Sequence, residues 1–212
     1  MAETKAFIFD LDGVIVFTDK FHYQAWKKMA DNMGIYFDET INNRLRGVSR
    51  MESLEIILEK YDGTLSQDEK DVLAEEKNAT YRELLKTMTP ADVSDEVRET
   101  LNELKARGYK LAIGSSSKNA RFILEKVELL DFFDAISDGN NIKNSKPDPE
   151  VFVKAAEYLN EQPEHCIVVE DAYAGVDAAK AGGMRAAAIG DAASYEKADY
   201  VLNSFSDLLK TV

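Results

Sequence analysis

Apolar residues along this chain follow two different periods, and the change of period divides it. Ala6 to Phe9 is uninterrupted apolar sequence without the alternation of a half-exposed strand, so it predicts a strand covered on both faces of a parallel sheet. Lys110–Ile113, Cys166–Val169, Arg185–Ile189 and Asp199–Leu202 read the same way. Between these segments the spacing is helical. Val97, Leu101 and Leu104 share one face with Gly108 as a stop, while Val151, Phe152, Ala155, Ala156 and Leu159 share another, entered through Pro147 and Pro149. Strands alternating with helices predict an α/β fold with right-handed crossovers.

From Thr18 to Met88 no convincing strand occurs, and the periodicity predicts four helices in succession. His22, Ala25, Trp26, Met29 and Met33 fall on one helical face, and Leu54, Ile57 and Leu58 on another. Ser49-Arg50-Met51-Glu52 has the form of a capping box, which starts a helix at Arg50. The chain therefore reads as a discontinuous core, 1–17 and 89–212, with an all-helical domain, 18–88, inserted after the first strand. The hinges fall near Val16–Asp19 and Thr87–Val93, and no internal repeat, low-complexity tract or Gly/Ser-rich linker interrupts the pattern.

Composition narrows the classes. The 212 residues include 39 acidic and 26 basic side chains, a formal charge of −13 that repels nucleic acid and anionic membrane surfaces. A phosphate-ester ligand would need local cations to reverse that field. The single cysteine, Cys166, cannot form an internal disulfide. The N-terminus lacks the features of a signal peptide, and no stretch approaches the roughly 20 apolar residues that cross a bilayer. A soluble cytoplasmic protein is expected, and a monomer in the absence of a long heptad seam.

The candidate chemistry starts at Asp10-Leu11-Asp12-Gly13, where the first strand runs into two carboxylates and a turn residue. In an open parallel sheet, ligands bind beyond the carboxyl ends of the strands. That rule brings together Asp10 and Asp12, the run from Gly114 to Asn119, and Glu170-Asp171; Lys146 sits in a loop before a helix on the same side. Four carboxylates in one cleft repel unless a cation separates them, and Mg²⁺ suits hard oxygen ligands while leaving room for phosphate oxygens. Ser115, Ser116 and Ser117 lead into a helix N-terminus that favours an anion, and Lys118 and Lys146 add positive charge. Plainer readings stand beside these: a turn at Asp10–Gly13, capping roles for Ser115–Ser117 and Glu170-Asp171, a solvated Lys146, and simple core packing for Trp26 and Met29.

Asp10-Leu11-Asp12-Gly13, Ser115 after its strand, Lys146-Pro147 and Glu170-Asp171 resemble, in order and spacing, the four motifs of the haloacid dehalogenase superfamily. The resemblance implies a Rossmann-like parallel-sheet core with an inserted helical cap. It also implies that Asp10 is a nucleophile carrying the phosphoryl group as an aspartyl phosphate, that Asp12 is the general acid/base, and that Ser115 and Lys146 bind the transferring phosphoryl. Asp10, the Asp12 backbone carbonyl, Glu170 and Asp171 would hold Mg²⁺. Within the cap, Thr18, His22, Trp26, Gly47, Val48, Ser49, Arg50 and Lys77, joined by Ser117, Lys118 and Asn119 from the core, resemble the substrate set of the sugar-phosphate mutase family of that superfamily. That second resemblance implies interconversion of β-D-glucose 1-phosphate and glucose 6-phosphate through β-glucose 1,6-bisphosphate, with Arg50 gripping the phosphate that is not reacting, His22 ordering Asp12, and cap closure excluding water. Phe17 departs from it, standing where a polar or acidic residue is usual. The alternatives are a Mg²⁺-dependent sugar-phosphate phosphatase with the same core residues and a non-catalytic phosphosugar-binding protein.

Overall fold

The computed structural model describes every residue except Met1, Arg46 and Gly47. The chain divides into two compact units, 1–17 with 89–212 and 18–88.

The first unit is built on a six-stranded, wholly parallel sheet. Its strands are β1 (Ala6–Phe9), β2 (Lys110–Gly114), β3 (Ala135–Ser137), β4 (Cys166–Glu170), β5 (Arg185–Ala188) and β6 (Tyr200–Val201), in the order β3-β2-β1-β4-β5-β6. β1 is central and fully buried, as its unbroken apolar sequence requires. Successive residues point to opposite faces, and the two faces are packed differently. Ala6, Ile8, Ala112, Val168, Ala186 and Ala188 join one apolar cluster with Val151, Phe152 and Ala155 of helix Glu150–Leu159 and Val176, Ala178 and Ala179 of helix Tyr173–Ala181. Small side chains on the strands let these two helices lie close. The other face is aromatic, with Phe9 stacked on Phe205 at 5.8 Å and Phe7 edge-on to Tyr109 at 5.4 Å.

Two sequence expectations are corrected in detail. β5 stops at Ala188 and β6 spans only Tyr200–Val201, both shorter than expected, while β3 has no counterpart in the sequence reading. β3 is a three-residue edge strand, too short to display a period. Asp134, just before it, ties its start to β2 by accepting a hydrogen bond from the Leu111 N–H at 2.8 Å.

The second unit is helical. It contains α1 (Asp19–Asn32), α2 (Glu39–Asn43), α3 (Arg50–Leu58) and α4 (Gln67–Leu85), so α5 is the core helix Asp95–Ala106, α6 is Ala120–Lys126, α7 is Glu150–Leu159 and α8 is Tyr173–Ala181. Both Ser49 and Ser66 form capping boxes, at the starts of α3 and α4. Trp26, Met29, Ala30, Phe37, Leu54, Ile57 and Ala74 make the cap's own core. Among the described residues, no helix is long and apolar enough to cross a membrane.

The small-residue face yields a test. Ala186 is fully buried between the sheet and α8, so Ala186→Leu forces overpacking and lowers the unfolding free energy by about 1–3 kcal/mol, read by urea denaturation; an unchanged midpoint would mean the face has slack.

Candidate active site

Register brings the acidic residues together. Phe9 is paired with Ile113 on one side and Val169 on the other, so Asp10, Gly114 and Glu170 follow at one level of the sheet edge. The Asp10 N–H donates to the Val169 carbonyl at 3.0 Å, which holds Asp10 beside the end of β4. Asp10 and Glu170 are buried, and Asp171 is half-buried beside them. One carboxylate oxygen from each of Asp10, Glu170 and Asp171 lies within 4.8 Å of the others.

Lys146 is the counter-charge. Its Nζ donates to Asp10 Oδ1 at 2.6 Å and to Glu170 Oε1 at 2.5 Å, with only 3% of the side chain exposed. Burial alone would lower its pKa, but the charges of Asp10 and Glu170 outweigh that and hold the ammonium well above its ordinary value. The Lys146-Pro147 bond, left open by sequence, is cis. Glu170 moves upward through burial, with Lys146 opposing the shift, and Glu170 Oε2 accepts from the Ala172 N–H at 2.8 Å. Asp171 is pushed up to about 8, first by burial and then by the charges of Asp10 and Glu170.

These numbers decide whether a cation fits. With all three ionised, the carboxylates against one ammonium leave two negative charges to be compensated, the repulsion that adds to burial in pushing Asp171 upward, and all three donors are hard oxygens. A divalent ion of the Mg²⁺ type matches that balance and that chemistry. The Asp12 side chain is outside this three-residue group. Two glycines make the cluster sterically possible. Gly13 has φ +89°, and a Cβ there would sit 2.1 Å from Asp171 Oδ2; a Cβ on Gly175 would sit 1.9 Å from Glu170 Cδ.

Beyond β2, two hydroxyls of the serine run brace their own loop. Ser115 Oγ accepts from the Ser117 N–H at 3.1 Å and Ser117 Oγ accepts from the Asn119 N–H at 3.2 Å, while Ser116 Oγ is buried with no hydrogen-bond partner. Ser115 and Asn119 are buried and Lys118 is exposed. Sequence reasoning missed the brace behind this loop: Asn140 donates to the Lys118 carbonyl at 3.0 Å, and the Gly139 N–H donates to the Ser117 carbonyl at 3.2 Å. Nothing in the local pattern signals a contact 22 residues away.

The cap holds a separate cationic cluster. Lys77 is buried, its Nζ 3.0 Å from His22 Nδ1 and over the rings of Trp26 and Tyr81 at 4.6 and 4.7 Å. His22 lies 4.1 Å from the Tyr81 ring and has its pKa well below the usual value, through burial first and then the charges of Lys77 and Arg50. Arg50, in the first turn of α3, pairs with the exposed Glu75 at 3.2 Å. Trp26 belongs to the cap core and Ser49 is the capping residue of α3; Val48 is half-buried, Thr18 buried just before α1, and Gly47 lies outside the described residues.

Residues 4–183 match the family profile described as a haloacid dehalogenase-like hydrolase. A β-phosphoglucomutase of Bacillus subtilis is 41% identical over 210 residues, 96% of this chain and 91% of that protein. A phosphorylated carbohydrates phosphatase of Thermotoga maritima is 36% identical, over 85% of this chain and 82% of its own. The crystal structure of a β-phosphoglucomutase from Clostridium difficile superposes with a TM-score of 0.90 at 42% identity, covering 97% and 93% of the two chains.

Two outcomes are expected. Gly13→Ala drives a methyl into Asp171 and weakens Mg²⁺ binding by about 10- to 100-fold in titration calorimetry; unchanged affinity would remove Asp171 from the ion's shell. His22 is neutral in the folded chain, whereas the unfolded chain protonates it near pH ~6.5. Its contribution is therefore complete above that pH and is lost progressively as the pH falls below it. Denaturation at pH 7.5 and 5.5 should show a smaller acid loss for His22→Gln than for the unsubstituted chain.

Proposed function

The chain belongs to the haloacid dehalogenase-like hydrolase family, and on that premise we propose that it is a β-phosphoglucomutase, interconverting β-D-glucose 1-phosphate and glucose 6-phosphate. What carries this reading is the reach of the likeness: 41% identity to the Bacillus enzyme over 96% of the chain takes in the helical cap as well as the core. The cap's two cations support it: Lys77, buried against a neutral His22, and Arg50, in the first turn of α3, set local positive charge able to hold an anion in a chain of net charge −13.

In this mechanism Asp10 attacks phosphorus, its ester bond forming as the bond to the sugar oxygen breaks. The nucleophile needs no deprotonation, but two anions must meet. Lys146, fixed between Asp10 and Glu170, offsets charge on the transferring group. Asp10, Glu170, Asp171 and the Asp12 carbonyl would hold a Mg²⁺, which when bound would supply further charge neutralisation. From the aspartyl phosphate, the phosphoryl passes to the 6-hydroxyl of β-glucose 1-phosphate as Asp12 takes the hydroxyl proton, giving β-glucose 1,6-bisphosphate. That compound turns over, Asp10 accepts its 1-phosphate, Asp12 returns the proton to O1, and glucose 6-phosphate leaves. Ser115, Ser117, Lys118 and Asn119 bind from the core. Thr18, His22, Trp26, Val48, Ser49, Arg50 and Lys77, with Gly47, form the cap's set, in which Trp26 and Ser49 act by shaping it. Arg50 takes the distal phosphate; its pair with exposed Glu75 is weak enough to yield.

The 36% identity to the Thermotoga phosphatase favours a second reading, a sugar-phosphate phosphatase. Phosphorus NMR separates the two: primed with β-glucose 1,6-bisphosphate, a mutase converts β-glucose 1-phosphate to glucose 6-phosphate and releases inorganic phosphate far more slowly, whereas dominant phosphate release would establish the phosphatase. Asp10→Ala should leave less than about a thousandth of the turnover. Arg50→Ala should cost the mutase reaction about 10- to 100-fold and leave hydrolysis of a small phosphate ester unchanged.

A further inference from the structure

Lys146 has a third neighbour besides its two carboxylates: its Nζ lies 4.6 Å above the centroid of the Phe152 ring. Phe152 is fully buried, two residues into α7, in the cluster that joins that helix to β1, β2 and β4. Its ring is itself seated by Gly114, the last residue of β2, where an added Cβ would lie 2.6 Å from Phe152 Cδ1 and 2.8 Å from Cε1. Thus the residue immediately before Ser115 is small because the ring occupies the space a side chain would need.

We propose that Phe152 is a positioning residue for phosphoryl transfer, its ring face holding the Lys146 ammonium from the apolar side so that the ammonium keeps its place between Asp10 and Glu170. This inference rests on the phosphoryl-transfer reading above. The physical reason lies in the asymmetry around Nζ. Two anions draw the ammonium to one side, and an aliphatic floor would leave the remaining face of a buried cation without any compensating charge. The negative face of an aromatic ring supplies that compensation without an acceptor atom that could take a proton or bind the ion. A third carboxylate there would deepen the anionic excess, and a hydroxyl would offer a competing hydrogen bond. With the ring present, each productive contact of Lys146 is to a group that takes part in the reaction.

The test separates ring electrostatics from ring volume. Phe152 is replaced at that one site by 4-fluoro-, 3,5-difluoro- and 3,4,5-trifluorophenylalanine, which keep the shape and progressively empty the ring face, and Phe152→Leu is made alongside. Expected are a stepwise fall in kcat with each added fluorine, reaching about tenfold for the trifluoro ring, an unchanged KM, and a melting temperature that does not follow the series. In parallel, ¹H–¹⁵N correlation spectra of the lysine ammonium groups report the contact itself: the Lys146 signal of the unsubstituted protein carries an upfield ring-current shift, which is lost in a folded Phe152→Leu variant. Flat kcat across the fluorinated series, or a Lys146 signal without a ring-current shift, would overturn the proposal. If the unsubstituted protein turned over no phosphate ester, the phosphoryl-transfer reading would fall and the positioning role with it, while the ammonium spectra would still decide whether the ring contact exists.

Discussion

The structure depends on holding two buried carboxylates, a half-buried third and one buried ammonium together at one edge of the sheet. Asp10, Glu170 and Asp171 come within 4.8 Å of one another, and Lys146 bridges two of them. Buried like charges are costly unless each is paired, and here one cation serves three anions. The residual charge defines the site: three carboxylates of hard oxygen donors beside one ammonium suit a divalent ion, which together with Lys146 would let an acidic edge receive an anion. Much of the surrounding architecture serves that arrangement. Gly13 and Gly175 leave room for the carboxylates, the Ala172 N–H holds Glu170, and β1 and β4 lie in register so that Asp10 and Glu170 follow paired residues.

The two units solve opposite electrostatic problems. At the sheet edge the difficulty is too much negative charge, relieved by Lys146 and by a site suited to a metal. In the cap it is positive charge in a partly dry setting: Lys77 is buried against Trp26 and Tyr81, and burial, with the charges of Lys77 and Arg50, keeps His22 neutral. A neutral His22 can accept a hydrogen bond from the Lys77 ammonium, which a protonated one could not. Aromatic rings recur as the partner that accommodates a buried amine without adding a negative charge, at Trp26 and Tyr81 for Lys77 and at Phe152 for Lys146.

Much of this was legible in the sequence for reasons that can be named. A central parallel strand has no exposed face, so Ala6–Phe9 has to be apolar throughout; a capping box needs only residues three apart, so Ser49 and Glu52 announce α3 unaided. Residues that stand at strand ends inherit their location from the strands, which is why Asp10, Ser115 and Glu170-Asp171 could be assigned to one edge. β3 was not legible, because three residues at a sheet edge carry too little pattern. The ends of β5 and β6 were overextended for a related reason: apolar residues past a strand end can be buried by neighbouring turns, as Leu202 is. That two of the serines after β2 accept hydrogen bonds from their own loop depends on backbone direction, which residue type does not encode.

By itself, then, the sequence determined the alternation of strands and helices, the helical character of the insertion and the acidic chemistry at the strand ends, since each follows from local period, local capping or position at the end of an element. Only the tertiary structure decided what those groups face. That Lys146 reaches Asp10 across 136 residues, that Phe152 lies beneath it in the space Gly114 leaves open, and that Lys77 meets His22 across 55 are consequences of packing. Whether a buried charge meets an anion, a ring or a neighbouring cation is settled when distant elements are pressed together, and no local spacing records it.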